Sequence, residues 1–383
     1  MSTSPFYLEL TAALRRRAQE LGFSAMGVSD TDLHRYIPRA RAWIDQGNHL
    51  PLEWMAEQQA LKENPAQLVP GTLRIISLRM DYLPSRKGHI EVLKDPNKAY
   101  IARYALGRDY HKTLRKRIAQ LGDFMRDWVR RHRPDEAIAY RAFVDSAPIM
   151  ERPLAEKAGL GWIGKNSLII HPQAGSFFLL GELFTNLPLP LDTLPVANQC
   201  GDCTACLSIC PTDAFRAPYV LETQRCIAYL TIENKGPIPE EYREAMGNRV
   251  FGCDDCQAIC PWNKFAGVAQ VGDFAPRHNL QQEDLLTLFN WDETTFLHHT
   301  QGSAIRRIDY RRFLRNLSIG LGNAPSHPDI IAALKTRLND GALFDEETPW
   351  LQEHFEWALA QQLNPHRRRK RKIKRPAEQA PIQ

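Results

Sequence analysis

The sequence predicts an α+β protein in three parts. An α/β domain should occupy residues 1–195, a small cysteine-rich domain 196–270 and an all-helical, repeat-like domain 271–363, with a basic tail at 364–383. Three observations lead there. Strand-like alternation and helical periodicity are mixed up to Pro195. All eight cysteines fall between positions 200 and 260. From about Glu283 to Leu363 the apolar pattern is helical, with no strand signal.

Taken in order, residues 8–21 place Leu10, Leu14, Ala18 and Leu21 on one helical face opposite Arg15, Arg16 and Arg17, and the helix should end at Gly22. Leu73–Tyr82 reads as a strand. Tyr110–Arg131 repeats Leu114, Ile118, Leu121, Phe124, Met125 and Trp128 at helical spacing and stops before Pro134. Ala137–Val144 is a second strand and Glu151–Lys157 a short helix. Ser167–His171 and Ser176–Thr185 read as a hairpin around Pro172-Gln173-Ala174-Gly175. Arg306–Asn323 could be one unit of a helical repeat, and the last twenty residues read as disordered.

The arginine run at 15–17 is followed by Ala-Gln-Glu-Leu-Gly, without the apolar core of an export signal. No stretch reaches the ~18 uncharged apolar residues of a membrane span. The expectation is a cytoplasmic protein with no membrane partner. The net charge is +5, but the eight cations of 367–375 account for it, leaving about −3 elsewhere. Nucleic-acid affinity would therefore come from local patches and the tail.

The cysteines run Cys200-x2-Cys203-x2-Cys206-x3-Cys210-Pro211, then Cys226, then Cys253-x2-Cys256-x3-Cys260-Pro261. The first run is the bacterial ferredoxin spacing for a [4Fe–4S] cluster. A complete second copy would need Cys at 250, where Val250 stands, and Cys226 can supply the missing ligand. Eight thiolates then serve two cubanes. Two four-thiolate zinc sites are the alternative, but they lack the third Cys-x2 step, the x3 spacing and the following proline. In two-cluster ferredoxins the fourth cysteine of a run ligates the other cluster. That predicts Cys200, Cys203, Cys206 and Cys260 on one cubane, and Cys210, Cys226, Cys253 and Cys256 on the other. Counting alone leaves the uncrossed pairing open. A two-cluster ferredoxin needs only about 60 residues, so the clusters should wire electrons to an active site elsewhere in the chain.

Asp145 ends an apolar strand, a usual place for a catalytic group, although a helix-capping Asp is the plain alternative. Gly159, Gly161 and Gly164 surround Trp162, so the backbone there could approach a large flat ligand or simply form a loop. No GxGxxG or P-loop motif occurs.

Together, Asp145-Ser-Ala-Pro, Gly159-Leu-Gly-Trp-Ile-Gly-Lys-Asn166, Arg103-Tyr104-Ala-Leu-Gly-Arg-Asp-Tyr-His111 and the two cysteine runs resemble the epoxyqueuosine reductases over residues ~5–360. The basic tail lies outside that pattern. The resemblance implies a cobalamin- and iron–sulfur-dependent oxidoreductase that reduces epoxyqueuosine to queuosine at the tRNA wobble base, with a cobalamin domain similar to that of reductive dehalogenases. It implies that Asp145 is the proton donor to the opening epoxide, its pKa raised by burial beside the corrin. Tyr104, Asp145, Trp162, Lys165 and Asn166 are expected to line the cobalamin and substrate pocket, and Asp254 and Asp255 to touch the corrin edge. Asp32-Leu33-His34 begins like a corrinoid signature, but Ile37 stands where that signature has Gly. The expected partners are the anticodon stem-loop of a tRNA carrying epoxyqueuosine and an external electron donor, with the protein a monomer.

Arg306, Arg307, Arg311, Arg312 and Arg315 gather around Tyr310 and Phe313, suiting phosphates and unstacked bases, or only a solvated helix. Arg103, Arg108, Lys112, Arg115, Lys116 and Arg117 form a second candidate patch. Of the histidines, His111 could line the pocket. A reductive dehalogenase is a rival enzyme reading, and a large electron-transfer or RNA-binding protein a non-enzymatic one; the latter leaves the Asp145 segment unexplained.

Overall fold

The computed structural model describes residues 4–86, 88–192, 195–346, 348–364 and 372–374. Two compact units emerge, each assembled from segments distant in sequence. The first comprises 1–83, 110–204 and 260–273, and the second 84–109, 205–259 and 274–383.

The first unit is built on a four-stranded sheet. Its strands are β1 (Ala25–Ser29), β2 (Arg74–Asp81), β3 (Tyr140–Phe143) and β6 (Phe178–Thr185), in the order β1-β2-β6-β3. Every pairing is antiparallel. This domain is therefore α+β, not the α/β domain predicted, because no helical crossover returns the chain parallel to a neighbouring strand. Helix α1 (Pro5–Glu20) buries Leu10, Leu14 and Ala18 as its periodicity requires. Helix α2 (Tyr110–His132) buries Leu114, Ile118, Leu121, Met125 and Val129. Gly181 of β6 makes room for α2: a Cβ there would stand 2.5 Å from Ile118 Cδ1. On the opposite face, Leu154 of helix α3 (Glu151–Lys157) packs against Ile75, Phe143 and Phe184.

The predicted hairpin does not form. The turn at 172–175 closes with His171 N–H donating to Gly175 O at 2.8 Å, but the pairing stops there. Ile169–Ile170 (β5) instead pairs with Trp162–Ile163 (β4). β6 lies between β2 and β3, where Leu183 and Phe184, on its two faces, are both buried. A central strand covered on both sides hides more apolar surface than one arm of a hairpin.

In the second unit a single apolar cluster joins Val250 and Phe251 to α7 (Leu285–Phe289), α9 (Tyr310–Asn323) and α11 (Pro349–Leu363). Further helices of this unit include α4 (Ala205–Ile209), α5 (Glu240–Met246), α6 (Asp255–Ala258), α8 (Glu293–His299) and α10 (Pro328–Leu338). The region 283–363 is helical, as predicted. The arginine patch around 306–315 does not form the single exposed face predicted. Arg315 is fully buried and donates to the carbonyls of Leu230, Asn234 and Gly236. Arg307 and Arg311 are paired with Glu233 and Asp345. Tyr310 and Phe313 belong to the core. Most of the basic tail lies outside the described residues. Within 372–374, Ile373 N–H donates to Pro211 O at 3.0 Å and Lys372 Nζ binds Ser208 O.

Candidate active site

Asp145 follows β3, and its backbone is left-handed with φ 47°. For a residue with a Cβ that conformation is uncommon and persists where the surroundings over-determine it. Tyr110 Oη donates to Asp145 Oδ2 at 2.6 Å, and His111 Nε2 lies 3.0 Å from the same oxygen. Both come from the first turn of α2, their rings stacked 4.0 Å apart. The Asp145 side chain nevertheless stays 49% exposed, so a substrate can reach it. Asp145 N–H donates to Glu151 Oε1 at 2.6 Å. Arg115 Nη2 reaches Ser146 Oγ at 3.4 Å, and Lys112 and Lys116 are exposed on the same turns of α2. The second basic patch thus contributes cations beside Asp145. Arg103 is buried in the other unit against the Tyr100 ring, and Arg117 is paired with Asp273.

The glycine-rich segment has a packing reason. A Cβ at Gly161 would meet Ile170 O at 2.4 Å, and one at Gly164 would meet Ile170 Cδ1 at 2.4 Å. These glycines admit β5 rather than leave an open face. Trp162 is fully buried; its indole N–H donates to Cys200 Sγ at 3.4 Å and its ring stands edge-on to Trp262. Lys165 Nζ bonds the carbonyls of Gly201 at 2.6 Å and Cys203 at 3.0 Å. Asn166 is buried and accepts from Leu168 N–H. Trp162 and Lys165 therefore brace the first cysteine run, and Asn166 holds its own loop.

In the second unit Asp254 is buried, accepting from Tyr100 Oη and Arg103 N–H, and Asp255 is ion-paired with Arg249. Tyr104 is half-buried against Phe251. His34 is exposed and paired with its own Asp32.

None of the eight cysteines is in a disulfide. In the first unit, burial and then the charges of Cys200 and Cys203 push the Cys260 thiol up. In the second, burial and then the charges of Cys226 and Cys210 do the same for Cys256. Helix α4, with Cys206 near its start, packs on α6, which carries Cys256. Thiols of this number and spacing suit soft-metal cluster chemistry.

Residues 199–263 match the family described as "4Fe-4S double cluster binding domain", and residues 62–146 match "Epoxyqueuosine reductase QueG, DUF1730". The chain is 52% identical to an epoxyqueuosine reductase of Aliivibrio fischeri over 93% of its own length and 92% of the relative's. With that of Escherichia coli it shares 50% identity, over 93% and 90%. Among solved structures, epoxyqueuosine reductase from Bacillus subtilis, described with its catalytic aspartate loop swung out of the active site, superposes with TM-score 0.79 at 26% identity, covering 93% of this chain and 91% of that one. An epoxyqueuosine reductase bound to an epoxyqueuosine-modified tRNA-Tyr stem loop superposes with TM-score 0.75 at 25% identity, over 93% and 100%. The chain is thus an iron–sulfur protein of the double-cluster class. It belongs to the epoxyqueuosine reductase family.

Proposed function

We propose that this protein reduces epoxyqueuosine to queuosine at the wobble position of tRNA, the last step of queuosine biosynthesis. It would act as a cytoplasmic monomer supplied by an external electron donor. The observation that carries the reading is Asp145: a half-exposed carboxyl anchored by Tyr110 and His111, with Arg115 beside it, in a chain of this family. Epoxide, two electrons and two protons give alkene and water. Asp145 donates a proton to the oxygen as the ring opens, while Tyr110 and His111 hold the carboxyl in place. Lys112, Arg115 and Lys116 suit the phosphates of an anticodon stem-loop.

The residues 1–195 are proposed to carry the substrate chemistry, 196–270 the clusters and 271–363 a helical support. Cys200, Cys203, Cys206 and Cys260 are proposed as one ligand set, and Cys210, Cys226, Cys253 and Cys256 as the other. Of the residues proposed around cobalamin, Asp145 is exposed, Tyr104 and Lys165 are half-buried, and Trp162, Asn166, Asp254 and Asp255 are buried. When bound, cobalamin supplies a strongly reducing cobalt, and the clusters supply electrons one at a time. The test is anaerobic reconstitution followed by turnover of an epoxyqueuosine-bearing stem-loop, read by nucleoside mass spectrometry. Full cluster and cobalamin content without queuosine formation would overturn the assignment.

Trp162→Phe is expected to keep all the iron but lower the reduction potential of the cluster on Cys200, because an N–H···S bond stabilises the reduced, more negative state. A potentiometric EPR titration reads this; an unchanged potential removes Trp162 from the tuning of that cluster. Deleting 366–383 is expected to weaken tRNA binding. The log–log salt slope should fall by roughly 0.7–0.9 for each phosphate that the shortened chain no longer neutralises, while single-turnover chemistry survives. An unchanged slope makes the tail a spectator.

A further inference from the structure

Behind Asp145 stand two more carboxyls that the proton transfer to the epoxide does not use. Glu151 opens α3 and accepts the Asp145 main-chain N–H at 2.6 Å. Glu182 lies in the middle of β6 and is fully buried. Its register partners are Ser77 on β2 and Phe143 on β3. Paired residues share a face of the sheet, so Glu182 points to the side that α3 covers. Neither carboxyl oxygen of Glu182 has a well-formed hydrogen bond, nor does Ser77 Oγ. Of the neighbouring carboxyls, Glu151 acts on Glu182 more strongly than Asp145 does.

An ionised carboxyl left unpaired in such a core is strongly disfavoured. Burial, and then the charge of Glu151, hold Glu182 well above the usual carboxylate range, which favours its protonated form. Burial, and then the charge of Asp145, push Glu151 up to about 7. The groups facing this pair are Asp145 from the loop, Arg152 from α3, Ser77 from β2 and Phe143 from β3. Asp145 raises both carboxyls, and Arg152 lowers Glu151.

Asp145 needs its backbone held as well as its side chain. Tyr110 and His111 grip the carboxyl, whereas Glu151 grips the main chain at the residue with positive φ. A carboxylate accepting a backbone N–H is a strong, charge-assisted bond. We propose that Glu151 and Glu182 form a latch for the catalytic loop: the Glu151 carboxylate clamps the Asp145 N–H, and protonated Glu182 donates to Glu151 and keeps that carboxylate aimed at the loop. Both are positioning residues, and neither touches substrate. The inference rests on the reading of Asp145 as the acid, but its structural half can be measured separately. Because Glu151 titrates at about 7, its hold on the Asp145 N–H changes across neutrality: the backbone bond favours the ionised carboxyl, and the charge of Asp145 opposes it.

The experiment combines hydrogen–deuterium exchange across 144–150 with turnover of the epoxyqueuosine stem-loop by the reconstituted holoenzyme, on both sides of neutrality. Glu182→Leu fills the buried volume without a donor, and Glu182→Gln restores one. Glu151→Gln keeps an acceptor but cannot ionise. In Glu182→Leu and Glu151→Gln, exchange at the Asp145 amide should rise about tenfold, the equivalent of one hydrogen bond to a charged group. kcat should fall by a similar factor at unchanged KM. Glu182→Gln should recover both, and Glu151→Gln should lose the pH dependence of exchange near neutrality. Exchange and pH dependence identical to the unaltered protein in Glu182→Leu and Glu151→Gln would overturn the latch. Asp145→Asn, assayed alongside, separates the two readings. If it is inactive while the glutamate variants behave normally, the latch fails and the acid stands. If it is fully active, the acid assignment fails, and the exchange data still decide the latch.

Discussion

Asp145→Asn should retain both clusters and cobalamin and lose turnover by ~10²–10⁴-fold, the usual contribution of a positioned proton donor. Asparagine keeps the shape, and its amide oxygen can still accept from Tyr110 Oη and His111 Nε2, which now meet Asp145 Oδ2 at 2.6 and 3.0 Å. The backbone bond to Glu151 is untouched, since it uses the main-chain N–H. What is removed is the ability to release a proton to the epoxide oxygen. The loss should therefore appear in kcat at saturating tRNA, with little change in KM. Iron, cobalamin and the visible spectrum should match the unaltered protein. Near-normal turnover in this variant would take Asp145 out of the mechanism.

How much of this was legible in the sequence depended on whether the relevant contacts are local. The first cysteine run is legible because its four thiols lie within eleven residues at fixed spacing, and so is Asp145 at the end of a strand. Its partners Tyr110 and His111 lie 35 and 34 residues away and meet it only through the packing of α2 on the sheet. Glu182 was hidden inside Phe178–Thr185, where a lone acid reads as the exposed side of an apolar strand. The sheet places that strand between two others and under α3, so the acid is buried instead. The arginines at 307, 311 and 315 misled for another reason. Helical spacing was carried across Asp309, which caps α9 by accepting from Arg312 N–H. Arg307 belongs to the preceding 3-10 turn, and within α9 the register turns Arg315 inward. There burial pulls its guanidinium down to about 9, the reverse of what an exposed phosphate contact would show. The antiparallel sheet was missed because β1 is only five residues long and has no polar alternation. Without it the strands could not be ordered.

Cys210→Ala should disturb the cluster held by Cys253 and Cys256 and leave the one held by Cys200 and Cys203 intact, although Cys210 belongs by sequence to the first run. The compact units divide seven of the eight cysteines this way. Cys200, Cys203 and Cys260 fall in the first unit, and Cys210, Cys226, Cys253 and Cys256 in the second, while Cys206, proposed for the first cluster, also falls in the second unit. Each group also perturbs its own members: the charge of Cys210 acts on Cys226 and Cys256, and those of Cys200 and Cys203 act on Cys260. Helix α4 carries the chain from Cys206 to Cys210, and Ala214 N–H donates to Cys210 Sγ at 3.3 Å, holding that thiol. Removing one of four thiolates from a cubane commonly costs an iron or the whole cluster. The expected result is a fall from two clusters toward one, with the remaining EPR signal and potential those of the cluster near Trp162. Because Trp162 N–H reaches Cys200 Sγ, the double variant Cys210→Ala with Trp162→Phe should still show the potential shift of the single Trp162 variant. If the surviving cluster no longer responded to Trp162, Cys210 would belong with Cys200 and Cys203, and the crossed arrangement would be wrong.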